Sequence, residues 1–415
     1  MAYLQSILVY LFTFAALYVQ VFLLIIAFKK RKNVIEPTIL LKDTEWPGVT
    51  IAVPCWNEER TVVKTIESLL ALDYPREKLF IKAVNDGSTD STWEKMQKFA
   101  GVPNIELINK KNGGKHTAMN KAIELATTEY VGCLDADAFA EPDALKKIIT
   151  LFLQDKEAMA VVPSVLVHNP KGVFQKAQQV EYDMGVFAKK ILSLIGGIHV
   201  TPGPFSIYRK KVFTDLGPYH KAHSTEDMEI AYRMQINNYK IVHCYDAYVH
   251  TVAPNSFNKL YKQRIRWMYG FINNTIDYKR YILKPKYGSF SIFTVPTATI
   301  VFFGTMIMSL FVMAALGQSI YHLVQKVIAT NFYISAPSVP HFSFFFVDVH
   351  PMSLITIILY VTLLATILIG QKMRKGKPIP GPSIIYFVII FSVMSPLWLL
   401  KATYNTVASR ETAWR

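Results

Sequence analysis

The chain has 415 residues, of which 51% are hydrophobic, and 45 Lys and Arg against 30 Asp and Glu give a net charge of +15. A mean hydropathy of +0.23 is high for a soluble enzyme and directs attention to membrane spans. The basic excess sits beside apolar stretches, which argues against nucleic-acid binding, and three scattered cysteines (Cys55, Cys133, Cys244) offer neither a disulfide framework nor metal-ligand spacing.

Residues 4–28 are almost wholly apolar and long enough to cross a hydrocarbon core of ~30 Å. They lack the basic leader and small-residue cleavage site of a signal peptide, so residues 1–28 are expected to be a retained anchor. Lys29, Lys30, Arg31 and Lys32 follow directly. An α/β pattern then occupies residues 29–255. "GVTIAVPCWNEE" is a β-branched run, and "TVVKTIESLLAL" repeats apolar residues at helical spacing. "KLFIKAVNDGST" is a second strand that breaks at Asp86-Gly87, with Ser88 or Thr89 placed to cap a helix carrying Trp93 and Met96. "NIELINKKNGG", "TAMNKAIELAT" and "YVGCLDAD" continue as strand, helix and strand. Such alternation predicts a largely parallel sheet with crossover helices, whose ligands bind at the carboxyl ends of strands. No G-x-G-x-x-G follows the first strand, and "NGGKHTA" lacks the Ser or Thr of a P-loop.

Residues 257–269 and 273–281 read as two amphipathic segments within an interfacial stretch, 256–290. Residues 291–415 carry further spans at about 291–323, 352–371 and 383–403. Lys279, Arg280, Lys284 and Lys286 precede the second span, and Lys372, Arg374, Lys375 and Lys377 lie between the third and fourth. The loop between the second and third has Lys326 as its only Lys or Arg. The positive-inside rule then predicts a multi-pass chain in the cell membrane, with an outside N-terminus and residues 29–286 in the cytoplasm.

In "YVGCLDADAFAEPD" a buried strand is expected to end in Asp135 and Asp137, one residue apart and on one face of an extended chain. Bare carboxylates there are costly to bury, and a hard divalent cation, Mg²⁺ or Mn²⁺, relieves that cost. A solvated turn ahead of a helix starting at Glu141-Pro142-Asp143 explains the D-x-D alone equally well.

The D-x-D has company. "VPCWNEE", "NDGSTDS", "NGGK", "DAD", "GPFSIYR", "STED" and "QRIRW" follow in order between about residues 49 and 267. This series closely resembles the family 2 inverting glycosyltransferases, in the processive branch that includes poly-N-acetylglucosamine, hyaluronan, chitin and cellulose synthases. The resemblance implies a nucleotide-sugar-binding GT-A type α/β domain, its mixed sheet mainly parallel, flanked by transmembrane and interfacial helices. It implies a UDP-sugar donor, with UDP-N-acetylglucosamine the best match, and a growing β-linked polysaccharide as acceptor. A membrane glycolipid acceptor is the alternative, and a degenerate, non-catalytic domain a more distant one. It also implies membrane lipids and a small membrane accessory subunit as partners.

Residue roles follow from the same resemblance. Pro54, Asn57, Glu58 and Asp86 would line the nucleoside pocket, where uracil offers an N–H to a carboxylate. Lys115 would sit near uracil or the diphosphate, Asp135 would hold ribose or sugar hydroxyls, and Asp137 the metal. Asp227, with Glu226 beside it, would be the general base. Gln263, Arg264 and Arg266 would bind the donor, since guanidinium forks suit phosphate oxygens. Phe205, Ser206 and Trp267 would contact the acceptor, Trp267 as a flat floor. His223 and His250 are further acceptor candidates. Pro204 departs from the glycine- and threonine-rich loop common in the branch.

Overall fold

The computed structural model describes residues 2–41, 45–330, 350–374 and 381–410. Most of the loop between the second and third apolar helices, Lys375 and Lys377, and the end of the tail lie outside the described residues.

One eight-stranded mixed sheet organises the chain. After α1 (Ala2–Lys29) and α2 (Arg31–Ile35) come β1 (Val49–Cys55), α3 (Val62–Leu70), β2 (Leu79–Asp86), α4 (Thr92–Met96), β3 (Ile105–Lys110), α5 (Lys115–Glu124) and β4 (Tyr130–Cys133). The chain continues through β5 (Ala138–Ala140), α6 (Ala144–Gln154), β6 (Ala158–Val167), α7 (Val173–Leu194), β7 (Ile207–Arg209), α8 (Lys211–Leu216), α9 (Glu226–Ile236) and β8 (Lys240–Thr251). The strand order is β3-β2-β1-β4-β7-β6-β8-β5. The pairs β2–β3, β1–β2, β1–β4 and β6–β8 are parallel, and β4–β7, β6–β7 and β5–β8 are antiparallel.

The apolar runs of β1 and β4 follow from burial on both faces. On β1, Ile51 and Val53 pack with Ile66 and Leu69 of α3 and Ile148 of α6, whereas Ala52 faces Ala118 and Ala122 of α5. Gly132 is forced by close approach, because a Cβ there would lie 2.2 Å from Ile207 Cδ1. The helix after β2 starts later than Ser88 or Thr89 would have it. Asp90 accepts the Thr92 N–H (3.0 Å), while the Ser88 hydroxyl is taken up by the Asn57 N–H (3.0 Å).

The expected pair of amphipathic segments is one helix, α10 (Phe257–Asp277), followed by a single 3₁₀ turn at Lys279–Tyr281. Its apolar face, including Leu260, Ile265 and Phe271, packs with Phe302 of α11 (Val295–Ala329) and Trp398 and Leu399 of α13 (Gly381–Val407). α12 (Pro351–Met373) packs on α7. Four helices, Gln5–Lys29, Phe290–Ala329, Pro351–Met373 and Gly381–Val407, are long and apolar enough to cross a membrane. Their outer residues, such as Phe14, Val361 and Val393, are exposed, as a lipid-facing surface requires.

α7 joins the sheet to these helices. Its Val186, Phe187 and Ile191 pack with Leu23 and Ala27 of α1 and with Tyr245 and Tyr248 of β8. Its fully buried Asp183 lies 3.2 Å from Arg374 Nε at the end of α12.

Gly270 fixes a second junction. A Cβ there would stand 2.2 Å from Thr225 Oγ1, which also accepts a hydrogen bond from Asn274 Nδ2 at 2.9 Å. Gly270→Ala should therefore push α10 off the start of α9. The expected cost is about 1–3 kcal/mol, read as a lowered thermal midpoint of the detergent-solubilised protein. An unchanged midpoint would show that this contact is soft.

Candidate active site

The polar clusters meet at the carboxyl ends of β1, β2 and β4. Three turns contribute there. Asn57, in the left-handed region at φ 56°, accepts the Thr89 N–H at 2.8 Å through Oδ1, so the turns after β1 and β2 are tied together. Glu58 reinforces the tie: its N–H donates to Thr92 Oγ1 at 2.7 Å, and its carboxylate accepts from Thr61 at 3.0 Å. Pro54 pairs in register with Val84 in the same region.

Asp86 ends β2 and is 3% exposed. Its carboxylate accepts the Gly113 and Gly114 N–H groups at 3.0 and 2.8 Å, and an ion pair with Lys110 completes the shell. Asp86 thereby shapes the "NGGK" turn. Lys110 escaped the sequence reading, although parallel β2–β3 pairing sets it opposite Asp86.

Lys115 opens α5 and points into a nest of carboxylates. Its Nζ is 2.6 Å from Asp135 Oδ1 and 3.5 Å from Glu226 Oε1. Burial works against this ammonium, yet Asp135 and Glu226 overcome it and hold its pKa well above the ordinary lysine value. Gly203 closes over the pair; a Cβ there would lie 2.6 Å from Lys115 Nζ and 2.7 Å from Asp135 Oδ2.

β4 stops at Cys133, so Asp135 and Asp137 occupy the turn before β5 rather than one face of an extended strand. The two carboxylates act on different neighbours. Asp135 serves Lys115, whereas Asp137 acts on Tyr182 of α7 together with Arg264, Glu181 and Arg266. Burial, the largest influence, pushes that tyrosine hydroxyl up to about 12.

Glu226 and Asp227 open α9, whose positive end faces this nest. The Asp227 carbonyl accepts from Thr201 N–H at 3.1 Å and Thr201 Oγ1 at 2.9 Å, which pins it to the 201–206 loop. Burial first, then repulsion from Glu226, pushes the Asp227 carboxyl up to about 6 against the pull of Lys115 and Arg266. A carboxylate poised there is ionised at neutral pH yet basic enough to take a proton. Lys189 and His199 were invisible as site residues in the sequence. Burial lowers the Lys189 ammonium to about 8, with Asp227 opposing, and lowers His199 to about 4. Lys189 sits more than four turns into α7 without any motif, so only the fold could bring it near Asp227.

Several expectations are revised. Phe205 is fully buried in the core under the sheet, at φ 66°, and its N–H donates to the Cys133 carbonyl at 2.7 Å. Ser206 is 1% exposed and donates to the Pro202 carbonyl at 2.6 Å. Neither is available to an acceptor; the partly exposed Pro202 and Pro204 form the outer edge of that loop. Arg264 is also turned elsewhere. Its guanidinium is 2.6 Å from Glu181 and lies 4.3 Å over the Trp267 ring. One face of Trp267 is therefore covered rather than open to a sugar. Arg266 remains with the site, donating to the Ser224 carbonyl at 2.9 Å. Gln263 presents a buried Oε1 that accepts no hydrogen bond from the described residues. The two histidines expected near the acceptor pair with carboxylates, His223 with Asp277 at 2.9 Å and His250 with Glu141 at 3.0 Å. All three cysteines are buried free thiols.

Residues 47–270, more than half of the chain, match the model of a family described as "Glycosyltransferase like family 2". The chain belongs to glycosyltransferase family 2. Among the relatives of this family 2 chain is the poly-beta-1,6-N-acetyl-D-glucosamine synthase of Staphylococcus epidermidis, 32% identical over 225 residues, which are 54% of each protein. The Staphylococcus aureus (strain COL) enzyme of the same name is 30% identical over 237 residues, 57% of each. The match thus spans about half the length of these curated relatives. Among solved structures, the mannosyltransferase PcManGT from Pyrobaculum calidifontis, in complex with GDP-Man and Mn2+, aligns with a TM-score of 0.62 at 18% identity, covering 97% of this chain and 100% of that one. The likeness is one of fold: a GT-A type domain with apolar helices attached.

Proposed function

We propose that this protein transfers a sugar from a UDP-sugar, UDP-N-acetylglucosamine being the best candidate, to the end of a growing β-linked polysaccharide. The convergence of Lys115, Asp135, Glu226, Asp227 and Arg266 at one strand-end site carries this reading. Similarity to two poly-beta-1,6-N-acetyl-D-glucosamine synthases supports the choice of sugar.

The chemistry follows from the charges. Asp227 accepts the proton of the acceptor hydroxyl as that oxygen attacks the anomeric carbon. One displacement inverts the anomeric centre, so an α-linked donor gives a β-linkage. Arg266 and the Lys115 ammonium stand where negative charge grows on the departing diphosphate. Asp86 and the amides it orients, with Asn57 and Glu58, frame the nucleoside side. A divalent cation, Mg²⁺ or Mn²⁺, would neutralise the diphosphate. Asp137 fits it as a single carboxylate, since such ions take one or two carboxylates with phosphates and water. Among the described residues no cluster of three metal-ligating side chains forms.

On this reading the four apolar helices cross the cell membrane, with the catalytic domain cytoplasmic and the product exported through the bundle, alone or with a small membrane subunit. The test is UDP release by the purified full chain against a panel of UDP-sugars, with product length measured. Turnover with one donor, lost on chelation and restored by Mn²⁺ or Mg²⁺, is expected. Products extended by a single residue on a lipid would instead favour glycolipid synthesis, and activity indifferent to chelator would remove the metal.

A further inference from the structure

The connection between α10 and the second apolar helix carries Lys279, Arg280, Lys284 and Lys286, all exposed, and no Asp or Glu occurs from residue 278 to 330. Two tyrosines organise these cations. Tyr281 and Tyr287 meet edge to face with ring centres 5.2 Å apart. Arg280 lies 4.8 Å over the Tyr281 ring and Lys286 5.6 Å over the Tyr287 ring.

Between the two cation pairs stands Leu283. It is 70% exposed although it is among the most apolar residue types, and it adopts φ 59°, a conformation that L side chains avoid. The strain is held by Ser291, in the first turn of the helix Phe290–Ala329. Its carbonyl accepts the Leu283 N–H at 3.0 Å, its hydroxyl accepts the Lys284 N–H at 2.9 Å, and that hydroxyl donates to the Tyr281 carbonyl at 2.6 Å. Leu283 is therefore fixed at the level where the chain enters its apolar span. An outward leucine in a strained backbone, flanked in sequence by four exposed cations, with the preceding Asp277 paired to His223, calls for a surface that is apolar inside and anionic outside.

We propose that residues 279–287 form a binding site for anionic phospholipid headgroups, with Leu283 inserted below the phosphates and Lys279, Arg280, Lys284 and Lys286 around them. Tyrosine belongs at such an interface, with its ring in the apolar layer and its hydroxyl in the wet one. The site rests on the membrane reading given above and adds to it a lipid class and an address.

The experiment uses the full chain reconstituted in phosphatidylcholine vesicles, with a fluorophore on Leu283→Cys; Cys55, Cys133 and Cys244 are buried. Quenching is compared between spin-labelled phosphatidylglycerol and spin-labelled phosphatidylcholine at equal mole fraction. The anionic lipid should quench about threefold more strongly or better, and high salt should erase the preference. Adding Lys279→Gln, Arg280→Gln, Lys284→Gln and Lys286→Gln should remove the preference while leaving overall quenching. Equal quenching by both lipids, or a preference that survives the glutamines, overturns the site. A second fluorophore on Ile300→Cys, partway along the apolar helix, separates the two levels. Quenching there without any at Leu283 refutes this site alone; no quenching at either position refutes the membrane reading with it.

Discussion

Asp227→Asn will reduce sugar transfer by about 10²–10⁴-fold while leaving donor affinity within a few-fold of the original. The amide keeps the shape of the carboxylate and its place at the start of α9, where the backbone carbonyl is tied to Thr201. What it loses is the capacity to accept a proton. The pH dependence supplies an independent check. Because burial and Glu226 raise Asp227 to about 6, the base is ionised above that value and protonated below it. Turnover in the unaltered protein should therefore rise with pH through an apparent pKa near 6, about two units above an ordinary aspartate. An acid limb near 4, or transfer surviving the substitution, would reassign the base. Titration of UDP by calorimetry separates loss of chemistry from loss of binding.

The second large effect is expected at Lys115. Its ammonium sits between Asp135 and Glu226, both largely buried, so Lys115→Met leaves two carboxylates without their cation. Removing one partner from a buried ion pair costs about 3–5 kcal/mol, and a clear fall in thermal midpoint should follow. Adding Asp135→Asn should recover part of that loss by removing one uncompensated charge. Transfer should stay low in both variants, since the positive charge beside the leaving diphosphate is absent. The sign of the pH effect is also fixed. Lys115 lowers the Asp227 pKa, so its removal must raise it and move the acid limb of the single variant upward from about 6. A limb that stays in place would mean that Lys115 acts at a distance from the base.

Much of the domain was legible in sequence because it is written in local patterns. Apolar runs closed by Asp86-Gly87 and by Asp135 declare strands and their carboxyl ends, and helical spacing in residues 61–72 and 117–127 declares the crossovers. Two-sided burial of a parallel sheet produces those runs directly. The resemblance carried by the ordered motif series leads one to expect Asp86, Lys115, Asp227 and Arg266 around one donor, and Lys115 and Arg266 do act on Asp227. Roles that depend on where a side chain turns were beyond such patterns. Phe205 and Ser206 lie in a motif, yet the left-handed turn at Phe205 sends its ring into the core and closes the Ser206 hydroxyl on Pro202. Arg264 belongs to the same pentapeptide as Arg266, but two residues advance a helix by about 200°, and Arg264 pairs with Glu181 while Arg266 donates to the Ser224 carbonyl. Glu181 takes Arg264 from a helix some eighty residues away, a partnership without any local trace.

By itself the sequence determined the four apolar helices, the alternating strands and helices between them, and the order in which acidic and basic groups reach the strand ends. These depend on composition and short-range periodicity, which the chain carries whatever its neighbours do. Tertiary structure alone decided which charges pair. It set Lys115 between Asp135 and Glu226, brought Asp137 to Tyr182, and buried Asp227 enough to raise its pKa. The reason is that an ion pair's worth and a carboxyl's proton affinity depend on distance and desolvation, and both are fixed only when distant segments pack together.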